Sequence, residues 1–217
     1  MWGRDAPCPG VDPLSGFLHV AGSTFGFPAA SPAPSYSSSY NADAPAPGAG
    51  GNGWTLPQKS LGFQPDGTVM RTDAAGTQHI FAPLAPLNQP VNGNGPQFAK
   101  PVHVYYNLAY NPANNTFAER DTDGTITDYA AFGSTTNFLP TLVTDRNGDT
   151  LTYSRDGSGN ILSITDIHGR SVQFHYAVSG STTYLQSVTG TDANGATIGS
   201  LQIGIIDTCI TKVLYAT

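Results

Sequence analysis

The sequence predicts an all-β chain, an antiparallel meander of short hairpins. Three observations carry that expectation. The pattern Asp-x-x-Gly recurs at Asp145–Gly148, Asp156–Gly159 and Asp166–Gly169, with short alternating apolar and polar runs between the copies. Gly and Pro are abundant, 25 and 17 of 217 residues, while charged residues make up only 11%; that balance favours turns and strands over amphipathic helices. No segment sustains three-to-four apolar spacing among helix formers, so helix is expected to be minor.

Each Asp-x-x-Gly reads as a hairpin tip. Asp suits the first position of a type I turn, where its carboxylate accepts backbone N–H groups further on. Gly suits the fourth position, where the chain enters the left-handed region without steric cost. The flanks agree. Leu151 and Tyr153, Leu162 and Ile164, and Val172 and Phe174 lie three and five residues after the three glycines, and Tyr176 extends the series. At a period of two each set shares one face, expected to be buried. The opposite, wet face is expected to carry Thr150, Thr152, Ser154, Ser163, Thr165, Ser171, Gln173 and His175.

In chain order, residues 1–53 form a Pro/Ser/Gly-rich opening segment. Asp12–Gly16 reads as a turn before a short strand, Tyr36–Asn41 as a second strand, and Ala42–Asn52 as a Gly/Ala/Pro loop. The alternative for residues 21–53 is low-complexity linker. Residues 54–101 read as a first hairpin pair, with turns at Pro65–Gly67 and Asp73–Gly76, then a crossover loop over 82–101 whose five prolines exclude a central strand. Residues 102–203 read as the main sheet. It begins with the β-rich run Val102–Tyr106, turns at Asp121–Gly124, passes through the central repeats, and closes with a hairpin about Asp192–Gly195. Residues 204–217 drop the pattern and read as an irregular, truncated tail.

The central block carries a resemblance. Asp145 and Asp166 stand 21 residues apart, Tyr153 precedes the second turn, and Phe174-x-Tyr176 closes the unit. This resembles the Rhs or YD-repeat family, with its Tyr-Asp pair stretched to Tyr153-Ser154-Arg155-Asp156. The likeness covers Leu139–Ala177 most fully. It implies an open curved sheet of YD repeats, or part of a hollow β-shell. It further implies a non-catalytic structural role, enclosing or presenting a C-terminal toxin domain that this chain lacks. The implied partners are the remainder of the shell or that cargo domain. The resemblance further implies secretion or cell-surface display; Met1–Asp5 lacks the apolar run of a signal peptide, so either export uses a dedicated apparatus or this chain is a piece of a longer one.

A net charge of −6 argues against a nucleic-acid partner, and no apolar run is long enough to span a bilayer as a helix. Cys8 and Cys209 either pair or stay as two thiols. The string from Glu119 to Asp128 resembles the start of a calcium loop, but its closing position would be Ala130, which has no side-chain oxygen; a hairpin tip explains it equally. His19, His79, His103, His168 and His175 lack zinc-site spacing. Gly-x-Ser-x-Gly, phosphate-loop and dinucleotide patterns are absent. No catalytic residue, metal or cofactor is therefore expected. Tyr105 and Tyr110 stand among aromatics that are either sheet core or a stacking surface for a glycan or cell-surface protein. The latter makes an exposed binding module the alternative function.

Overall fold

The computed structural model describes residues 19–27, 32–41, 54–56, 58–74, 76–84, 98–179, 182–206 and 209–215. Among these the chain forms seventeen strands and no helix. β1 (His19–Gly26), β2 (Ser35–Asn41) and β3 (Trp54–Thr55) make a small sheet. The other fourteen share one large sheet. They are β4 (Ser60–Phe63), β5 (Val69–Thr72), β6 (Gln78–Pro83), β7 (Phe98–Ala99), β8 (Asn107–Asn111), β9 (Thr116–Arg120) and β10 (Ile126–Ala131), followed by β11 (Asn137–Thr144), β12 (Thr150–Arg155), β13 (Ile161–Asp166), β14 (Ser171–Ser179), β15 (Thr182–Thr191), β16 (Thr197–Ile206) and β17 (Cys209–Tyr215). All pairings are antiparallel, and the sheet stays open.

β11 is the junction. Along one edge it pairs with β10. Along the other, Asn137 and Phe138 pair with β4, and Leu142–Thr144 pair with β12. Between those two stretches lies Pro140, which has no N–H to give a ladder. The β10–β11 register slips at the same place, between Asp128 and Tyr129. A bulge bends its strand and interrupts pairing, so two strands can follow one another along one edge. From β11 the sheet therefore runs in two directions, β12 to β17 and β4 to β7, with β8 to β10 on the far side.

Two cores result. In one, Tyr36 of the small sheet packs on Leu151, Ile161, Ile164, Val172, Phe174, Leu185, Val188 and Leu201 of β12–β16. In the other, β4–β7 meet β8–β11 through Leu61, Val69, Phe81, Phe98, Leu108, Phe117, Tyr129 and Phe138. Phe117 is its centre, with ring centroids 4.7 Å from Tyr110 and 4.8 Å from Phe138. Fully burying a side chain of this size contributes about 1.5–3 kcal/mol.

Five expectations need correction. Val102–Tyr106 is a turn, not a strand: the Val104 N–H donates to the Pro101 carbonyl at 3.1 Å, and His103 has φ 64°. β-propensity reports fit to a half-buried pleated surface, yet Val102 and Tyr105 are 83% and 68% exposed; the strand begins at Asn107. Leu162 is exposed, and Ile161 takes the buried place. The cause is a bulge: Ser154 pairs with Ser163, but Arg155 pairs with Ile161, leaving Leu162 as the extra residue. Ser171 is buried, its hydroxyl 2.7 Å from that of Thr191, not on a wet face. The proline-rich span holds strand at both ends, since Pro83 of β6 pairs with Phe98 of β7 at the end of the sheet, where a missing N–H is tolerated. Residues 204–217 are not irregular throughout, because β16 runs to Ile206 and β17 returns beside it. The turn at Asp12–Gly16, the loop at Ala42–Asn52 and Cys8 lie outside the described residues, and with Cys8 the question of a disulfide.

Candidate functional site

The Asp-x-x-Gly turns share one hydrogen-bond design. In the turns headed by Asp73, Asp121, Asp145, Asp156, Asp166 and Asp192, the Gly N–H donates to the Asp carbonyl, and the Asp N–H donates to the carbonyl one residue past the Gly. Gly76, Gly124, Gly148, Gly159, Gly169 and Gly195 have φ between 80° and 93°. This is a type I turn followed by a left-handed residue. Gln64–Gly67 makes the same turn with Gln at its head. In four of them, at Asp145, Asp156, Asp166 and Asp192, Oδ1 accepts the backbone N–H groups two and four residues on, at 2.7–3.0 Å. Burial pushes the Asp145 and Asp156 carboxyls up, but these N–H groups outweigh it and hold both pKa values below the ordinary one. The Asp121 turn differs: Asp121 Oδ1 accepts from Thr122, and Asp123 takes the Thr125 N–H.

The turns separate onto two rims. Gly124 approaches Arg146 and Gly169 approaches Ala193, so the Asp121, Asp145, Asp166 and Asp192 turns line one rim. The Asp156 turn lies on the other, where Gly159 abuts Leu139 and Phe132. Arg155 ties it down, donating from Nε to the Pro140 carbonyl at 3.0 Å and from Nη1 to the Gly159 carbonyl at 2.8 Å. Burial lowers its pKa to about 10. Turns on one rim sit two strands apart, roughly 10 Å at ordinary strand spacing, so neighbouring carboxylates are too far apart to share a metal ion. Among the described residues no three His, Cys, Asp or Glu side chains are placed to hold a metal.

The buried polar centre of the molecule is Glu119, on β9 and only 1% exposed. Its Oε1 accepts from Lys59 Nζ at 2.7 Å and Arg71 Nη2 at 3.3 Å. Its Oε2 accepts from Arg71 Nε at 3.0 Å and the Tyr129 hydroxyl at 3.1 Å. Four bonds fill the lone-pair positions of a carboxylate. Burial pushes the Glu119 pKa up, and the two cations bring it below the ordinary value. The Arg71 guanidinium also lies over the Tyr106 ring at 4.5 Å, and burial pushes the Tyr106 hydroxyl up to about 12. Lys59 and Arg71 belong to the β4–β5 arm and Glu119 and Tyr129 to β9 and β10, so the cluster clasps the two arms. A carboxylate so occupied has no capacity left for proton transfer, and its position rules it out as the first ligand of a calcium loop.

Sequence reasoning did not single out Glu119, Arg71 or Tyr129 as a group. The signal was there: Arg71 lies two residues after Val69 and Glu119 two after Phe117, so both charges fall on apolar faces and have opposite sign. The two tyrosines proposed for stacking are not brought together. Tyr105 is exposed on the turn before β8. Tyr110 is packed against Phe63 and Phe117, its hydroxyl donating to Asn115 Oδ1 at 2.9 Å. His103, His168 and His175 are exposed, and His79 stands edge-on to Tyr106.

No protein-family model matches the chain, and no curated protein matches it. Several solved structures are similar, two of them as follows. One is the N-terminal domain of effector protein SpvB from Salmonella typhimurium strain LT2, at 13% identity and TM-score 0.40, over 91% of this chain and 78% of that one. The other is the TcdB2-TccC3-Cdc42 structure, at 12% identity and TM-score 0.36, over 90% of this chain. The match spans 12% of that second chain's length. A likeness of this degree assigns no activity.

Proposed function

We propose that the chain is a non-catalytic structural segment of a YD-repeat type of β-shell, enclosing or presenting a toxic domain that it does not itself contain. One observation carries the reading. The fourteen-stranded sheet is open and built from one turn unit used again and again, with each strand hydrogen-bonded to the next along it. Such a sheet is a wall that extends by adding strands. Secretion or surface display by a dedicated apparatus fits this role and belongs to the same proposal.

The coding sequence past Thr217 tests it, joined to this chain and expressed as one product. Asp-x-x-Gly repeats should resume, and a following domain should resist protease until the sheet is denatured. A product without further repeats, whose following domain is cut at once, would overturn the reading. A broad hydrolase screen on the chain alone should stay blank.

One observation favours a second reading, a binding module. Val102 stands exposed on the Pro101–Val104 turn, which holds the positive-φ His103, and Tyr105 stands exposed directly after it. If Tyr105→Ala abolished binding on a glycan or cell-surface protein array while the melting transition stayed in place, that reading would replace the shell.

A further inference from the structure

Between the small sheet and the large one lies a cavity of about 280 Å³. Its apolar wall is Tyr36 of β2 with Tyr153, Ile164 and Phe174 of β12–β14. Its polar lining includes Gln58 and Lys59, just before β4, with Thr125 and Thr127. The exposed Ser35 and Ser37 stand at its mouth.

Two features separate it from a packing defect. The Gln58 Oε1 is buried and has no hydrogen-bond partner among the described residues, so the desolvation of that oxygen is uncompensated. The Lys59 ammonium has three N–H groups, and among the described residues it gives one, to Glu119. Arg71 occupies the same carboxylate. Of the two cations on the Glu119 carboxylate, Lys59 is the one that lines the cavity.

We propose that this cavity binds a small aryl carboxylate that carries one hydrogen-bond donor. The ring lies against Tyr36, Tyr153 and Phe174. The carboxylate accepts from Lys59 Nζ, and the donor satisfies Gln58 Oε1. A space of about 280 Å³ is at the small end of the range of small-molecule sites, which suits a ligand of about ten non-hydrogen atoms. A cavity with an apolar body and few convergent polar groups is the usual form of a small-molecule site.

The test is a titration of the intact chain with para-hydroxyphenylacetate, followed by calorimetry or saturation-transfer NMR. Tyramine, which has the same ring and hydroxyl but carries an ammonium, is the charge-reversed control. The acid should bind saturably and tyramine should not. Lys59→Gln should weaken the acid about tenfold or more, the scale of one charge-assisted hydrogen bond. Gln58→Leu leaves the Glu119 cluster intact and should also weaken it. Ser37→Trp, at an exposed position, should block the mouth without moving the melting temperature. Absence of saturable binding, equal binding of tyramine, or binding that survives Ser37→Trp would overturn the assignment.

Discussion

Gly148 and Gly159 hold nearly the same backbone, φ 90° and 91°, in turns of the same design. Their surroundings differ. A Cβ on Gly148 would meet nothing within 4 Å, whereas one on Gly159 would sit 2.8 Å from Leu139 Cδ1 and 3.2 Å from Phe132 Cβ. Gly148→Ala should therefore cost only the left-handed strain, about 1–2 kcal/mol. Gly159→Ala should cost that plus about 1–3 kcal/mol of overpacking. Urea midpoints at unchanged slope measure both; equal shifts would mean that the Leu139 side chain yields freely. Glu119 is the other residue to test. Glu119→Gln leaves Lys59 and Arg71 without their anion and should cost about 3–5 kcal/mol, the range for breaking a buried pair from one side. The pH dependence follows from the sign of the shift. The folded pKa of Glu119 is lowered, so its contribution is fully present above the unfolded value of roughly 4.3 and is lost as pH falls through the folded one. Asp145 and Asp156 are lowered too and lose their contributions in the same direction. Thermal melts should therefore fall steeply below about pH 4, and the Glu119→Gln variant should show a shallower acid limb. An unchanged limb would assign acid sensitivity to the turns.

At the scale of single elements, β13 separates pattern from packing. Leu162 and Ile164 sit at the same distances after their Gly as Leu151 and Tyr153 do after theirs, so alternation puts both inside. The bulge against β12 turns Leu162 out and Ile161 in. Leu162→Thr should then stay within about 0.5 kcal/mol of the parent, as surface changes do. Ile161→Ala should cost about 2–5 kcal/mol, as buried truncations do. The opposite order in chemical denaturation would restore the unbroken register. The same strand marks how far the sequence could be read. Turn positions were legible because Asp and Gly act locally: a carboxylate two residues from an N–H and a φ near 90° need no partner from elsewhere. The all-β class was legible for the same reason. The bulge was not, because it depends on which residue of β12 stands opposite. Val102–Tyr106 failed on the same ground, since β-branched and aromatic residues suit a strand only where a neighbour covers them. The buried Glu119 cluster was half legible: charges on apolar faces were visible, but their meeting across 48 and 60 positions of chain is a property of the β11 junction.

For the molecule as a whole, the open sheet sets the behaviour. Among the described residues β17 pairs only with β16, so one full edge of N–H and C=O groups faces outward. An unpaired edge is a template for another strand, and the wall-like role proposed for this chain requires such an edge. The purified chain should therefore associate with rising concentration. Sedimentation velocity across a hundredfold concentration range would show the mean mass climbing above the 22.6 kDa of one chain. Val213→Pro, within β17, removes one donor and blunts the edge. It should lower association while leaving the tyrosine near-ultraviolet signal of the Phe117 core in place, because that core lies on the other side of β11. A mass that stays at one chain throughout would count against an extending wall. Association unchanged by Val213→Pro would move the contact elsewhere, and the exposed Val102 and Tyr105 would be the first positions to substitute, because together they form the exposed apolar turn before β8.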